Sequence, residues 1–210
     1  MERKLATVVS HPRAGTHFLM NTLAENFGYI SAPWIDFDAW GNMFAMETII
    51  NHYENMLKNP NIRRNTIKSH YEVHFYIHIF DVLFSATDFF YIYRDEDATL
   101  RSYRKHLLGR HKTVLVPRVK TDKEFENTEP VGELLRYQAY QYPTMRARVQ
   151  AHIRDWLTIP TKEQRDRIIY VRYEDLNDHF EDVVGEIARR LGYPVPNVIK
   201  RPSKGAWHVN

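Results

Sequence analysis

The chain has 210 residues, 43% of them hydrophobic and 26% charged, which is the composition of an ordinary soluble globular protein. It contains no cysteine, which excludes disulfides, thiolate metal sites and cysteine nucleophiles, and its net charge of +3 is too balanced to indicate nucleic-acid binding. Its apolar runs are too short to cross a bilayer and it shows no signal peptide, so we expect one cytoplasmic domain over residues 1–210, without a nucleic-acid or membrane partner and with its oligomeric state open.

The predicted elements alternate between strands and helices. Strands are expected where apolar or β-branched residues run together, at residues 5–10, 66–69, 88–93 and 167–172. Helices are expected at residues 16–27, 43–58, 73–83, 131–157 (interrupted at Pro143) and 178–191, with a further helix starting near residues 95–97. Loops are expected at residues 29–40 and 109–130. This order predicts an α/β fold, in which helices cover both faces of a largely parallel sheet and ligands bind beyond the carboxyl ends of the strands.

The first junction between strand and helix has features that are typical of an anion-binding site. The apolar run that begins at Leu5 breaks at Pro12 and Gly15, where the first helix starts. Backbone N–H groups and the helix dipole converge at such a junction, and Arg13 and Thr16 add a positive charge and a hydroxyl. The Lys that a nucleotide-triphosphate P-loop needs directly after its second glycine is absent, since Thr16 follows Gly15. An ordinary turn between strand and helix is the alternative interpretation.

Charged and polar residues also follow the next two predicted strands. Lys68 lies at the end of the second strand with His70 directly after it, and Arg94 comes directly after the third. Ser102 lies about two helical turns beyond Arg94, so an arginine fork and a hydroxyl are able to converge on one phosphate. A helix-capping arginine with an incidental serine is the simpler interpretation of the same spacing.

Three histidines invite a metal-site interpretation. His70, His74 and His78 recur at every fourth position, which on a helix places three imidazoles on one face. No carboxylate stands at a matching spacing, so we predict no metal.

Taken together, these segments resemble the PAPS-dependent sulfotransferases, whose sulfuryl donor is 3′-phosphoadenosine 5′-phosphosulfate (PAPS). The matching segments, in the order of the family's motifs, are residues 10–19 (5′-phosphosulfate loop), 67–70 (the K-T-H segment), 91–94 with 102–103 (3′-phosphate motif), 169–176 (the Y-E-D-L strand end) and 204–207 (the C-terminal R-K-G element). The resemblance spans most of the chain and is closest to a divergent member of bacterial or phage type.

The resemblance implies a P-loop-like three-layer sandwich and transfer of a sulfuryl group to a hydroxyl or amine. It implies that His70 is the general base and that Lys68 and Arg13 stabilise the charge that develops during transfer. Phe18 would stack on adenine, with Tyr173 nearby. The full set of residues that the resemblance places around PAPS is Arg13, Ala14, Gly15, Thr16, His17, Phe18, Arg94, Ser102, Tyr173, Arg201, Lys204 and Gly205.

Departures from the family's pattern keep alternatives open. Ala14 and His17 replace two hydroxyl residues of the 5′-phosphosulfate loop, which favours a nucleotide-binding relative without turnover. A P-loop-type nucleotide kinase is a further alternative on the same architecture. If His70 is not the base, Glu72, Asp36 and Asp38 are the carboxylates to consider. The acceptor, a small molecule or a glycan, is not specified by the sequence.

Overall fold

A computed structural model describes residues 5–36, 51, 54–55, 58–59, 64–110, 121–130 and 140–203. Its strands are β1 (Leu5–Val9), β2 (Ile30–Asp36), β3 (Asn65–Ser69), β4 (Thr87–Tyr93) and β5 (Ile168–Arg172). Its helices are α1 (Thr16–Phe27), α2 (Phe80–Ala86), α3 (Glu96–Arg110), α4 (Asp122–Glu126), α5 (Met145–Thr158), α6 (Lys162–Arg167), α7 (Tyr173–Asp178) and α8 (Phe180–Leu191). In this part of the chain, no helix combines the length and the apolar character needed to cross a membrane.

The five strands form one parallel sheet in the order β2-β3-β1-β4-β5. β1 lies at the centre, and its last residue, Val9, is paired with Ser69 of β3 and with Tyr91 of β4. The residues that follow β1, β3 and β4 therefore meet at one edge of the sheet, where open parallel sheets bind their ligands. The α/β architecture predicted from the sequence is confirmed.

Helices cover both faces of the sheet, which makes the three layers. Side chains on one face pack against α2 and α5, and we call this the aromatic face because Trp156, Tyr91 and Phe80 lie in its core. Alternate side chains of the same strands point to the other face and pack against α1 and α8. We call it the aliphatic face, because aliphatic side chains such as Leu23 and Val184 form most of its core.

Several sequence-based boundaries are corrected. Residues 29–40 were expected to form a loop, but residues 30–36 form β2, an edge strand that contains Pro33 and whose register shifts between Ile30 and Ile35. Proline removes a ladder hydrogen bond and therefore argues against a strand in a sequence-based prediction, but it is tolerated in a strand at the edge of a sheet.

Two further predictions change in detail. The helix expected at residues 73–83 is instead a 3-10 turn (Val73–Phe75) followed by α2. The loop expected at residues 109–130 contains α4, which begins with a capping box between Thr121 and Glu124. The helix predicted over residues 43–58 falls mostly outside the described residues, as does the first part of the one predicted over residues 131–157.

Candidate active site

The loop between β1 and α1 has the backbone geometry of an anion nest. Arg13 has a φ of 71° and Gly15 a φ of 108°, whereas Ala14 between them is not left-handed. The N–H of Ala14 donates to the carbonyl oxygen of His11 at 3.1 Å and closes the turn, and such alternation directs the N–H groups that follow toward one concavity. α1 then starts at Thr16, with no side-chain cap and no acidic residue in its first turn. The positive end of its dipole therefore faces the same concavity without a competing carboxylate.

Gly15 is required by a close approach as well as by its φ. A Cβ placed on it would lie 2.4 Å from Cδ2 of Tyr173 and 3.3 Å from Cδ1 of Ile92. The Tyr173 ring also contacts a cation, since the guanidinium carbon of Arg94 lies 4.4 Å from its centroid. Tyr173 therefore brings the end of β4 into contact with the loop after β1, as the sequence motifs anticipate.

His70 lies directly beyond β3 and faces the end of β1. Its Nδ1 is 2.8 Å from the carbonyl oxygen of Ser10. A carbonyl only accepts, so Nδ1 carries the proton and Nε2 carries the lone pair. The hydroxyl of Ser10 also lies 3.3 Å from Nδ1 and 2.5 Å from Oγ1 of Thr16. Burial, helped by the charge of Lys68, holds the pKa of His70 well below its usual range, so the ring is neutral near pH 7.

The two cations assigned to charge stabilisation act on one side of the site. The pKa of His17 is lowered to about 4 by burial and then by the charges of Lys68 and Arg13. Both cations therefore lie within electrostatic reach of the same imidazole at the start of α1. Arg13 is exposed and Lys68 is half-buried, so both side chains are placed to meet an anion that arrives from solvent.

A buried polar cluster lies beneath His70 on the aromatic face. Glu72 and Arg148 are at most 1% exposed and form an ion pair, with Arg148 Nε 3.2 Å from Glu72 Oε1. Nearby, Nδ1 of His152 lies 3.0 Å from the hydroxyl of Tyr91. Sequence reasoning missed Arg148 and His152, because α5 offers no motif and its partners are distant in the chain. It included Ser10 in the 5′-phosphosulfate loop but did not predict its contact with His70, although a hydroxyl at a strand end beside the loop is a possible signal.

Among the other residues of the predicted PAPS site, Phe18 packs against Tyr173 and Arg201 lies beside Phe18. Phe18 is only 6% exposed and its ring centroid is 6.0 Å from that of Tyr173. The guanidinium carbon of Arg201 lies 5.9 Å from the centroid of Phe18, and Arg201 donates a hydrogen bond to the carbonyl oxygen of Asn177. Ser102 is half-buried in α3. Lys204 and Gly205 lie outside the described residues, as does Asp38.

A cavity of about 480 Å³ adjoins the carboxyl ends of β4 and β5. Arg94, Arg146 and Arg172 line it together with the acidic start of α3. Nε of Arg94 is buried and has no hydrogen-bond partner among the described residues. A buried, unsatisfied guanidinium nitrogen fits an anionic ligand that is bound during function.

The three regularly spaced histidines do not share a helix face. His74 lies in the 3-10 turn, where its Nε2 is 3.6 Å from Oδ2 of Asp155, and His78 is exposed in the turn that follows. His70 instead faces Ser10. Within the described ranges, no group of three histidine, aspartate or glutamate side chains is placed to hold a metal ion.

Similar folds occur in several solved structures. The sulfotransferase domain of the Synechococcus PCC 7002 olefin synthase has a TM-score of 0.60 at 16% identity, with 98% of this chain and 79% of that chain covered. A mouse sulfotransferase complexed with PAP has a TM-score of 0.58 at 17% identity and 94% coverage of this chain. Retinol dehydratase in a complex with retinol and PAP has a TM-score of 0.56 at 18% identity and 93% coverage. At these identities the likeness establishes the fold.

The chain spans 62% of the length of the mouse sulfotransferase and of retinol dehydratase. No curated protein matches it. The family described as the sulfotransferase domain, however, matches residues 6–204, almost the whole sequence. This chain therefore belongs to the sulfotransferase domain family.

Proposed function

We propose that the chain transfers a sulfuryl group from PAPS to a hydroxyl or amine of a small-molecule or glycan acceptor, with His70 as the general base. The observation that carries the proposal is the hydrogen bond from His70 Nδ1 to the Ser10 carbonyl oxygen. It leaves the basic lone pair on Nε2, and His70 itself follows β3 at the edge of the sheet where the loop at residues 13–15 lies. We also propose that residues 1–210 form a single sulfotransferase-like domain, which the match over residues 6–204 supports.

The described residues fit a nucleotide that carries anionic groups at both ends of its ribose. The nest at residues 13–15 and the uncapped start of α1 suit the 5′-phosphosulfate. Arg94, with its unsatisfied Nε, suits the 3′-phosphate, and Ser102, Arg201, Lys204 and Gly205 complete that set in the family's pattern. Phe18 and Tyr173 supply the aromatic surface proposed for adenine.

Each residue has a distinct task in the proposed reaction. Bound PAPS supplies a sulfuryl group whose bond to the 5′-phosphate oxygen breaks as the acceptor oxygen or nitrogen bonds to sulfur. Nε2 of His70 takes the acceptor proton, which its neutral form is able to accept. Arg13 and Lys68 stabilise the negative charge that grows on the leaving oxygen, which is the main electrostatic contribution in such displacements.

The geometry favours His70 over Glu72, one of the carboxylates named as alternative bases. The carboxylate of Glu72 is buried and paired with Arg148, so it would have to break a buried ion pair to accept a proton. Asp36 ends β2 at the sheet edge and Asp38 lies outside the described residues.

A radiolabel experiment tests the function. The protein is incubated with PAPS labelled on sulfur and with a panel of phenols, sterols, amines and sugars. We expect label in at least one acceptor, and the signal should disappear in Arg13→Ala. Label that stays on PAPS across the panel, with PAP bound normally, would instead support a nucleotide-binding relative without turnover.

A comparison of nucleotides separates the proposal from the kinase alternative. PAP, the desulfated form of PAPS, should raise the melting temperature more than ATP does. The reason is that we assign Arg94 to the 3′-phosphate, which ATP lacks, and its unsatisfied Nε supports this assignment. Arg94→Ala should abolish most of the PAP-induced shift. A larger shift with ATP and magnesium would overturn the assignment.

A further inference from the structure

The segment that carries His70 is not held by regular structure. Residues 70–72 follow the last residue of β3 and precede the 3-10 turn that starts at Val73. The hydrogen bond from His70 Nδ1 to Ser10 orients the ring only if the main chain at His70 is itself fixed. What fixes residues 71 and 72 therefore matters for the base.

Two side chains of α5 anchor the residues directly after His70. Trp156 Nε1 donates a hydrogen bond of 3.2 Å to the carbonyl oxygen of Tyr71. Arg148 Nε lies 3.2 Å from Oε1 of Glu72. Trp156 and Arg148 are fully buried and Glu72 is 1% exposed. Consecutive residues of the segment are thus tied to one helix on the aromatic face.

Stability alone does not account for the buried pair. Each charge costs several kcal/mol to remove from water, and apolar side chains of similar volume are often as stable or more stable in its place. A buried ion pair does fix the relative position of its two groups, because any displacement leaves charges without compensation. Position is therefore what Glu72 and Arg148 contribute next to His70.

We propose that Glu72 and Arg148 are positioning residues that hold His70 in its orientation and in the tautomer with the proton on Nδ1. The importance of this arrangement for catalysis rests on the proposed function, in which His70 is the base. The arrangement itself is a property of the protein without substrate, so it is measurable separately.

The charge of Arg148 helps to keep the imidazole rings around the segment neutral. After burial, it is the largest influence that lowers the pKa of His11, to about 3, and it also lowers the pKa of His152. Neutral rings around the segment avoid a further buried cation beside the base.

Nitrogen-15 NMR of the histidine side chains tests the proposal. In the wild type, the signal that is lost in His70→Gln should show one tautomer, protonated at Nδ1, and should not titrate between pH 5 and pH 8. The double variant Glu72→Met with Arg148→Met replaces the buried ion pair by apolar side chains that fill the same space, so it should fold. In it, we expect the His70 signal to show mixed tautomers, because the ring is no longer held against the Ser10 carbonyl oxygen.

A control variant and a second variant keep the test decisive. Arg154→Met removes an exposed arginine of the same helix, paired with Asp155, and should leave the His70 signal unchanged. If the double variant does not fold, Trp156→Phe removes the hydrogen bond to Tyr71 and should shift the same signal in the same direction. A folded double variant, or a folded Trp156→Phe in its place, with the wild-type tautomer would overturn the proposal.

Turnover distinguishes this proposal from the proposed function. With an acceptor in hand, the double variant should lower kcat about 10- to 100-fold through misplacement of the base, with the Kd for PAP unchanged. If His70 behaves as expected in the NMR experiment but the wild-type protein transfers no sulfate, the proposed function is wrong and the positioning role is retained. If the wild-type protein transfers sulfate but the His70 signal is unaltered in the folded double variant, the positioning role is wrong and the proposed function is retained.

Discussion

The two faces of the sheet are built differently. The aliphatic face packs α1 and α8 against the strands, and its buried carboxyl, Asp88, receives a hydrogen bond of 2.5 Å from Tyr29 near the amino end of β4. The aromatic face contains the Glu72–Arg148 pair and the buried ring of His152 close to the carboxyl ends of the strands.

Apart from Phe18 and Tyr173, which form the proposed adenine surface, this difference separates stability from chemistry. Burial of apolar side chains on the aliphatic face contributes stability without directing any polar group toward the site. Buried charge on the aromatic face is costly, and it lies next to the segment that carries His70. Substitutions on the two faces should therefore affect different measurements.

The largest effect is expected at His70. His70→Ala removes the proposed base, so kcat should fall by roughly 10²- to 10⁴-fold, while the Kd for PAP stays near the wild-type value. Steady-state kinetics and calorimetric titration with PAP measure the two quantities. His179→Ala, at an exposed position between α7 and α8, is the control and should match the wild type. Unchanged turnover in His70→Ala would exclude it as the base.

On the aliphatic face the expected loss is in stability instead. Leu23 of α1 is fully buried there, and Leu23→Ala should lower the free energy of unfolding by about 2–5 kcal/mol through lost burial and a residual cavity. Urea denaturation measures the change. At a temperature where the variant is folded, its kcat should equal that of the wild type. A loss of kcat without a loss of stability would show that the aliphatic face takes part in the chemistry.

The sequence predicted well those elements whose local pattern agrees with the fold. β1, α1, β4 and β5 appear within a residue or two of their expected bounds, because apolar periodicity is a local signal, as is a glycine such as Gly28, which follows α1 in the left-handed conformation that ends helices. β2 was missed because Pro33 argues against a strand, and only its place at the sheet edge explains it.

For the site, motifs located the loop, His70 and Arg94, but not what supports them. The contact of Gly15 with Tyr173 and the pairing of Glu72 with Arg148 join segments distant in the chain. No local pattern encodes such contacts, because they depend on how helices pack on the sheet. The roles assigned to the site residues remain predictions.

A smaller effect is expected at Gly15, where the two halves of the site meet. Gly15→Ala forces a Cβ against the Tyr173 ring at a φ of 108°, so the ring or the loop must move. We expect a loss of about 1–3 kcal/mol in PAP binding, measured by calorimetry. Gly192→Ala is the matched control, since its φ is 70° but a Cβ there meets nothing within 4 Å. It should lose a little stability and no affinity, and equal affinities for both variants would argue against a role of the loop in binding.

The smallest effect per residue is the response to pH, and it also separates the faces. Burial lowers the pKa of His11 to about 3, and it lowers the pKa of His70 and His152 well below the ordinary 6.5. Between the folded and unfolded pKa values the unfolded chain binds more protons, so the free energy of unfolding rises with pH up to about 6.5 and falls as the solution is acidified below it.

Each such histidine adds at most about 1.4 kcal/mol per pH unit in that window. Urea denaturation from pH 4.5 to pH 7.5 measures the slope. His152→Phe removes one of these groups from the aromatic face and should make the slope shallower, whereas Leu23→Ala should lower stability equally at every pH. A slope that His152→Phe leaves unaltered would mean that His152 binds a proton in the folded state as readily as in the unfolded chain. The aromatic face would then tolerate a further charge beside Arg148, against the electrostatics proposed for the surroundings of His70.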